Sequence, residues 1–292
     1  MNVKTPGIAW VLFFILSLIW GSSFILIKKG LVALSAEEVA SIRITAASLV
    51  LLPFALGKFN QFNKKNILPL LSAGLMGSLI PAFLFAIAQT RLPSAITGIM
   101  NSLTPFFTII ISVLFFAAKP AKRVYVGIAM GFIGTLFLIL GRTSGNLSIN
   151  YYALFVVAAS LLYGINANII KHYLNELKSI TVASLSLVIV GPVALIYLLF
   201  FTPFMGHIQS PEVLLATGYI LILGVFGTAL ALVLFNKMVQ LTGALFAASV
   251  TYLIPLVAVS WGVLDGENIS LIQVLSMVVI IVGVFIANSK RA

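Results

Sequence analysis

The sequence predicts an all-α integral membrane protein whose ten transmembrane helices form two inverted five-helix repeats. Three observations predict this class: the composition, a series of ten apolar runs, and an internal similarity between the two halves. Of the 292 residues, 61% are hydrophobic and only 8% are charged. A soluble domain carries about a quarter of charged residues because its surface faces water. Most of the surface of this chain is therefore expected to face lipid.

Each apolar run is long enough for a helix to cross a bilayer. A spanning helix needs about 20 apolar residues, because each adds 1.5 Å across a hydrocarbon core of roughly 30 Å. Strands of a membrane barrel would be shorter and would alternate apolar with polar residues. In chain order, the runs cover residues 8–28, 39–56, 67–89, 94–117, 124–140, 152–171, 181–201, 213–237, 244–264 and 271–287. The connections are short, so no soluble nucleotide-binding domain is expected.

The charged residues predict the orientation of the chain. The net charge of +11 is spread over alternate loops, which does not favour a nucleic-acid partner. With the amino terminus in the cytoplasm, the inner basic residues are Lys4, Lys58, Lys64, Lys65, Lys119, Lys122, Arg123, Lys171, Lys178, Lys237, Lys290 and Arg291. The outer ones are Lys28, Lys29, Arg91 and Arg142. This excess on one side predicts a multi-pass protein of a bacterial-type inner membrane with both termini cytoplasmic.

The two halves of the sequence resemble each other in register. A shift of about 143 positions places Trp20 on Tyr163, and a shift of about 150 positions places Pro105 on Pro255. Each match is weak alone, but the matches keep one order and nearly one offset. They predict a duplication, with one five-helix repeat in residues 1–147 and a second in residues 148–292.

The odd number of spans in each repeat predicts that the second copy is inserted upside down. Inverted repeats are the architecture of many secondary transporters. Such a pair has two near-equivalent packings, one open to each side of the membrane. The predicted mechanism is therefore alternating access, and a continuously open channel or passive pore remains the alternative.

Polar side chains near mid-span are candidates for solute binding, because such groups usually face the bundle interior or a cavity. Thr97, Asn101, Thr104 and Thr108 lie on one face of the fourth helix. The predicted substrate-binding residues are Trp20, Ser23, Arg43, Gln89, Asn101, Thr104, Tyr163, Asn166 and Tyr252. Aromatic rings beside amide groups suit an amphipathic organic solute. Alternatively, the hydroxyl groups bond their own helices, and Arg43 extends to the membrane surface or holds helix ends together.

Three prolines are predicted to break helices and to act in gating: Pro81, Pro105 and Pro255. A proline inside a helix removes one backbone donor and frees the carbonyl about four residues earlier. For Pro105, that carbonyl lies near Asn101. A second helix-packing prediction concerns Gly127, Gly131 and Gly134, whose spacing is typical of close contact between helices.

Several kinds of chemistry are not expected. No carboxylate falls in mid-span, so coupling to protons has no support. His172 and His207 fall on opposite sides of the membrane, which argues against a metal site. No Walker A pattern is present, so neither ATP nor another cofactor is predicted. An intramembrane enzyme would need a catalytic constellation at depth, and the sequence offers none.

Short motifs along the whole chain resemble the drug/metabolite transporter superfamily, specifically its EamA-type ten-helix exporters. These motifs are Trp20-Gly21-Ser22-Ser23-Phe24 followed by Lys28, Arg43, Thr104-Pro105-Phe106, Ile254-Pro255-Leu256 and Asp265-Gly266-Glu267. One departure is Ala117-Ala118-Lys119-Pro120, where the family would carry a glutamate. The resemblance implies a bundle with a central cavity lined mainly by helices one, three, four, six, eight and nine. It also implies a small-molecule solute such as an amino acid or related metabolite.

Overall fold

The computed structural model describes residues 7–118, 122–139 and 150–288, and ten long helices dominate this part of the chain. They are α1 (Gly7–Gly30), α2 (Ala36–Leu56), α3 (Ile67–Gln89), α4 (Ser94–Phe116), α5 (Lys122–Ile139), α6 (Ala153–Tyr173), α7 (Ser179–Phe201), α8 (Pro211–Thr242), α9 (Ala244–Leu264) and α10 (Leu271–Asn288). Of the charged residues used for orientation, Lys4, Lys119, Arg142, Lys290 and Arg291 lie outside the described residues.

The lengths of these helices confirm the predicted all-α membrane fold. Eight of them are long and apolar enough to cross a membrane by themselves. The other two, α5 and α10, have 18 residues each, which corresponds to about 27 Å of helix. Because α5 and α10 are also apolar and pack against each other, they complete the ten predicted helices.

Helix boundaries follow local capping chemistry more than the edges of the apolar runs. Helix α2 begins three residues before its predicted run because Ser35 and Glu38 form a capping box. Helix α8 begins at Pro211, after Ser210 accepts a hydrogen bond from the amide of Val213. It continues to Thr242 and is 32 residues long, well beyond its predicted run.

Four of the long helices contain an irregular turn, and the turns occur in equivalent pairs. Tight 3₁₀ turns at Asn101–Leu103 and Ser249–Tyr252 interrupt α4 and α9. Wide π turns at Leu75–Leu79 and Leu223–Leu230 interrupt α3 and α8. Because third and eighth helices correspond, as do fourth and ninth, the repeat seen in the sequence extends to the backbone.

Close glycine contacts show that the packing of the helices has the same internal symmetry as the sequence. A Cβ atom at Gly134 in α5 would lie 3.0 Å from the carbonyl oxygen of Ser276 in α10. A Cβ atom at Gly283 in α10 would lie 2.8 Å from the carbonyl oxygen of Gly127 in α5. Gly283 corresponds to Gly134, and Ser276 corresponds to Gly127, through the same shift of 149 positions. The predicted close packing of the glycine face on α5 therefore has α10 as its partner.

The same symmetry relates the contacts of α1 and α6. Gly21 in α1 lies against Val257 and the carbonyl group of Ile254 in α9. Gly164 in α6 lies against Phe107 and the backbone of Thr108 in α4. The contact of Gly21 with Val257 maps onto the contact of Gly164 with Phe107 when the halves are exchanged. The described helices thus form two five-helix repeats around a pseudo-twofold axis, and the odd number of helices makes the repeats antiparallel in the membrane.

Candidate functional site

The centre of the bundle contains a cavity between the two repeats. The space inside it, counted together with the space at its open side, is about 760 Å³. Side chains and backbone of α1, α2, α3, α4, α6, α8 and α9 form its walls. The predicted binding residues in these walls are Trp20, Ser23, Arg43, Asn101, Thr104, Tyr163 and Asn166.

Two predicted residues do not belong to this cavity. Gln89 lies at the end of α3, beside a separate recess that also includes Lys28 and Thr90. Tyr252 ends the 3₁₀ turn of α9 and packs half-buried against the apolar core. The turn changes the direction of side chains after Thr251, which does face the cavity.

The sequence reasoning missed two polar residues of the cavity wall, Ser78 and Thr228. Both lie inside the π turns of α3 and α8, where the side-chain period departs from that of a regular helix. The internal repeat carries a signal for them, because Gly77-Ser78 and Gly227-Thr228 are 150 positions apart. That offset is the one that relates the paired prolines.

Gly77 and Gly227, one in each of these turns, allow the helices to approach the cavity residues closely. A Cβ atom at Gly77 would lie 3.0 Å from Asn166 Oδ1, and one at Gly227 would lie 2.9 Å from Ser23 Oγ. The carbonyl oxygen of Gly227 also accepts a hydrogen bond of 3.1 Å from the indole of Trp20. The π turns therefore fix the position of polar groups on the neighbouring α1 and α6.

The cavity walls are chemically similar in the two repeats. Under the shifts found in the sequence, Trp20 corresponds to Tyr163, Ser23 to Asn166, Ser78 to Thr228, Phe85 to Phe235 and Asn101 to Thr251. An aromatic residue thus corresponds to an aromatic residue, and a neutral polar residue corresponds to another. A wall of this kind can present nearly the same contacts to a solute in either of two symmetry-related packings.

Two wall residues are exceptions to this similarity: Thr104, which corresponds to Ile254, and Arg43. The counterpart of Arg43 in the second repeat is Ser186, whose hydroxyl donates to the carbonyl oxygen of Ala183 within its own helix. The side chain of Arg43 is 8% exposed, so it stays inside the bundle and does not extend to the membrane surface. Its Nε atom donates a 2.7 Å hydrogen bond to Thr228, and Tyr163 lies close to its guanidinium group.

Two polar groups in the wall have no hydrogen-bond partner among the residues that the structure describes. They are the carbonyl oxygen Oδ1 of Asn166 and the hydroxyl of Ser78. Leaving a buried polar group unpaired costs about 1–3 kcal/mol, so such groups are ready to bind a ligand or water. Asn101 differs, because its side-chain oxygen accepts a long hydrogen bond of 3.4 Å from Thr104.

The remaining threonines of the polar face on α4 have structural partners. Thr97 donates to the carbonyl oxygen of Pro93, and Thr108 donates to that of Thr104. Asn168 of α6 donates to the carbonyl oxygen of Thr108 and so joins α4 to α6. Thr97 and Thr108 therefore fit the alternative in which hydroxyl groups bond their own helix.

The three predicted helix breakers lie two or three residues after the irregular turns. Pro81 follows the π turn of α3, whereas Pro105 and Pro255 follow the 3₁₀ turns of α4 and α9. The carbonyl group of Asn101, which the sequence placed near the break at Pro105, accepts a 2.9 Å hydrogen bond from the hydroxyl of Thr104. The positions of the breaks agree with the sequence, and their role in gating stays a prediction.

One end of the bundle carries an ion-pair network that we name the Glu267 cluster: Lys28, Lys29, Ser94, Asp265 and Glu267. Glu267 Oε1 accepts hydrogen bonds from Lys28 at 2.9 Å, from the amide of Ser94 at 2.9 Å and from its hydroxyl at 2.7 Å. Asp265 pairs with Lys28 at 2.7 Å and also with Lys29. The cluster joins the end of α1 to the loop between α9 and α10.

Glu267 also caps α4 from outside that helix. Pro93 precedes the helix and provides no side-chain cap, whereas Glu267 accepts hydrogen bonds from the first two helical amides, Ser94 and Ala95. Burial raises the pKa of Glu267, but the donors Ala95, Lys28 and Ser94 outweigh it and lower that pKa. Hydrogen bonds from Lys28 and Lys29 lower the pKa of Asp265. Both carboxylates are therefore charged at neutral pH.

In the described part of the chain, the opposite end lacks this network. Ala117 and Gly266 both have a positive φ and correspond through a shift of 149 positions. By the same shift, Ala118 is the counterpart of Glu267. No carboxylate lies within ion-pair distance of Lys171, the counterpart of Lys28, in the described parts of the chain. The sequence indicated that Glu267 has no acidic counterpart in the first repeat. The two ends are therefore chemically different.

Comparison with known proteins agrees with this architecture. The chain is 28% identical over 280 residues to an uncharacterized inner membrane transporter of Escherichia coli K12, YedA, covering 94% of this chain and 89% of that protein. It is 24% identical over 286 residues to an uncharacterized transporter of Archaeoglobus fulgidus, covering 97% of this chain and 99% of that protein. A crystal structure with 17% identity has the same fold, with a TM-score of 0.67 over 97% of both chains.

The comparison with protein families covers both halves of the molecule. The EamA-like transporter family matches residues 7–140 and again residues 150–289. These two matches include every helix of the described bundle. They name the same family that the sequence motifs resemble. The protein is therefore a multi-pass membrane transporter that belongs to the EamA-like transporter family.

Proposed function

We propose that this transporter is a secondary carrier, an exporter or exchanger, of small organic metabolites such as amino acids. It moves the solute through the central cavity by alternating access and does not use ATP. The observation that carries this proposal is the symmetry of the cavity, whose corresponding walls offer similar groups in both repeats. Exchange of the two repeat conformations then moves the opening from one side to the other.

The proposed binding site combines the predicted residues of the cavity with those that the structure adds. Its polar members are Ser23, Arg43, Ser78, Asn101, Thr104, Tyr163, Asn166, Thr228 and Thr251, with Trp20 as the largest aromatic surface. We place both termini in the cytoplasm of a bacterial-type inner membrane. The basic residues of the described inner loops, among them Lys58, Lys64 and Lys65, support this orientation.

Because the chain belongs to a transporter family, the hypothesis of an intramembrane enzyme is excluded. A transport assay distinguishes the carrier from a channel. The purified protein is reconstituted in proteoliposomes loaded with candidate solutes, namely amino acids and their derivatives. Saturable counterflow of labelled solute is the expected result. Single-channel conductance, or flux that stays linear with concentration, would instead identify a pore.

A further inference from the structure

The charges around the cavity are unequal. Arg43 is the one ionised side chain among the described residues that line it. All six carboxylates of the chain, at positions 37, 38, 176, 212, 265 and 267, lie at helix ends or in loops. The binding site therefore has a formal charge of +1 and no acidic group to neutralise it.

The guanidinium group of Arg43 is held in a fixed orientation. Nε donates to Thr228, and the hydroxyl of Thr228 in turn donates to the carbonyl oxygen of Leu223 inside the π turn. No carboxylate pairs with Arg43 in the described parts of the chain. A buried and unpaired charge is costly, so a solute that brings the opposite charge is stabilised there. Arginine binds carboxylates especially well because its donors form a planar fork.

The other polar groups of the site are neutral. Asn166 and Ser78 have unpartnered oxygens, and Asn101 adds a third amide or hydroxyl position in the wall. A solute ammonium group would meet only such neutral oxygens, and Arg43 would repel it. The large faces of Trp20 and Phe85 suit an apolar or aromatic body on the same solute.

From this distribution, and resting on the proposed function, we infer that the preferred solutes are organic monocarboxylate anions that carry no ammonium group. Arg43 is the residue that determines this specificity. It binds the carboxylate, the neutral wall binds hydroxyl or carbonyl groups, and the aromatic residues bind the apolar body. An amino acid has the same carboxylate but leaves the site with a net positive charge, so it binds less tightly than the anion of equal size.

The test uses four probes with one phenyl body and different charges: 3-phenylpropionate, L-phenylalanine, 3-phenylpropanamide and 2-phenylethylamine. Half-saturation is measured for each by counterflow in proteoliposomes and by thermal stabilisation of the purified protein. We expect half-saturation for 3-phenylpropionate to be about tenfold lower than for L-phenylalanine. We expect weaker binding still for the neutral amide and the amine.

Variants at Arg43 assign the preference to its charge. In Arg43→Gln, the preference for 3-phenylpropionate over the amide is lost, whereas Arg43→Lys retains it with lower affinity. Arg91→Gln, which removes an exposed arginine in the loop between α3 and α4, leaves the order of the four probes unchanged. The order measured on the unmodified protein tests the inference even where a variant at Arg43 does not fold.

Several outcomes would overturn the inference. These are equal or tighter binding of L-phenylalanine or the amine, retention of the anion preference in Arg43→Gln, and binding of none of the four probes. Saturable counterflow of L-phenylalanine without that of 3-phenylpropionate would refute the anion preference and still support a metabolite carrier. The failures of the two proposals can therefore be told apart.

Discussion

Asn101 contributes a polar group to the cavity without being essential to the packing of α4. Its side-chain oxygen makes one long contact with Thr104, and its backbone carbonyl is satisfied by the hydroxyl of the same residue. We expect Asn101→Ala to reduce counterflow about tenfold, because one lost hydrogen bond to a solute corresponds to roughly 1–1.5 kcal/mol. Membrane insertion and thermal stability should remain close to those of the unmodified protein.

The matched control for this prediction is Asn175→Ala, in an exposed loop between α6 and α7. Its counterflow should equal that of the unmodified protein for each transported solute. Unchanged half-saturation and rate in Asn101→Ala would remove Asn101 from the binding site. It would not affect the assignment of the chain to its family.

Glu267 combines an ion pair with the cap of a helix, so its charge should contribute to stability. We expect Glu267→Gln to lower the free energy of unfolding by about 1–2 kcal/mol at pH 7, because a charged acceptor is lost from four hydrogen bonds. Its pKa in the folded protein is lowered from the ordinary value of 4.5. The stabilisation is therefore complete above pH 4.5 and is lost as the pH falls through the native pKa.

Thermal unfolding in detergent from pH 7 to pH 3 measures this difference. The gap between Glu267→Gln and the unmodified protein should close at the acidic end. Glu176→Gln is the control, because Glu176 forms an exposed ion pair with Lys65, and such pairs contribute little. A gap that is absent at pH 7, or that widens on acidification, would contradict a structural role for the carboxylate.

At the same scale, the sequence could identify some cavity residues and not others. Trp20, Arg43 and Asn166 were predictable because a ring, a charge or an amide in mid-span is rare and must face the interior. Ser78 and Thr228 are small and lie where a π turn changes the side-chain period, so periodicity alone did not indicate them. The comparison of the two halves, extended from the prolines to these turns, would have found both.

At the level of helices, the symmetric glycine contacts make a paired prediction. Gly21 and Gly164 allow α1 to approach α9 and α6 to approach α4 at equivalent crossings. An added Cβ atom at Gly164 would lie 2.8 Å from the backbone nitrogen of Thr108, which cannot move without its helix. We expect Gly21→Ala and Gly164→Ala each to destabilise the bundle by about 1–3 kcal/mol, because the added methyl group would overpack each crossing.

Gly218→Ala in α8 is the control, because no heavy atom lies within 4 Å of its added Cβ atom. Thermal unfolding of the three variants gives the comparison. A neutral effect at either Gly21 or Gly164 would show that the corresponding crossing can relax. The apparent equivalence of the two crossings would then not extend to their energies.

Helix existence was predictable from apolar length, whereas helix irregularity was only partly so. The prolines indicated breaks in α4 and α9, and the structure places a 3₁₀ turn that ends two or three residues before each one. The π turn of α8 has no proline after it, so the sequence carries no local sign of that widening. Its position follows from the packing of Gly224 and Gly227 against α2 and α1.

For the whole molecule, the important feature is that a symmetric cavity has two different ends. The Glu267 cluster holds one end with charged groups, and in the proposed orientation this end faces the exterior. The opposite end has Phe116 stacked on His172, with ring centroids 3.9 Å apart. Because symmetric packings would otherwise have similar free energies, the cluster is expected to favour the packing that is closed to the exterior.

This asymmetry gives a prediction that separates alternating access from a pore. The chain contains no cysteine, so Ser78→Cys places a single thiol in the cavity. A thiol reagent that does not cross the membrane is added to right-side-out vesicles, where it reaches the cavity from the exterior. In the Ser78→Cys background, adding Lys28→Met and Glu267→Gln removes most of the cluster. Labelling from the exterior should then accelerate severalfold.

The same proteins in inside-out vesicles provide the decisive comparison. Two exclusive packings share one population, so a gain in exterior access requires a loss of cytoplasmic access. Labelling from the cytoplasmic side should therefore slow down in the variant that lacks the cluster. A pore would be labelled from both sides at once, and removal of the cluster would raise both rates or neither. Parallel changes in the two preparations would thus contradict alternating access and leave the channel as the better description.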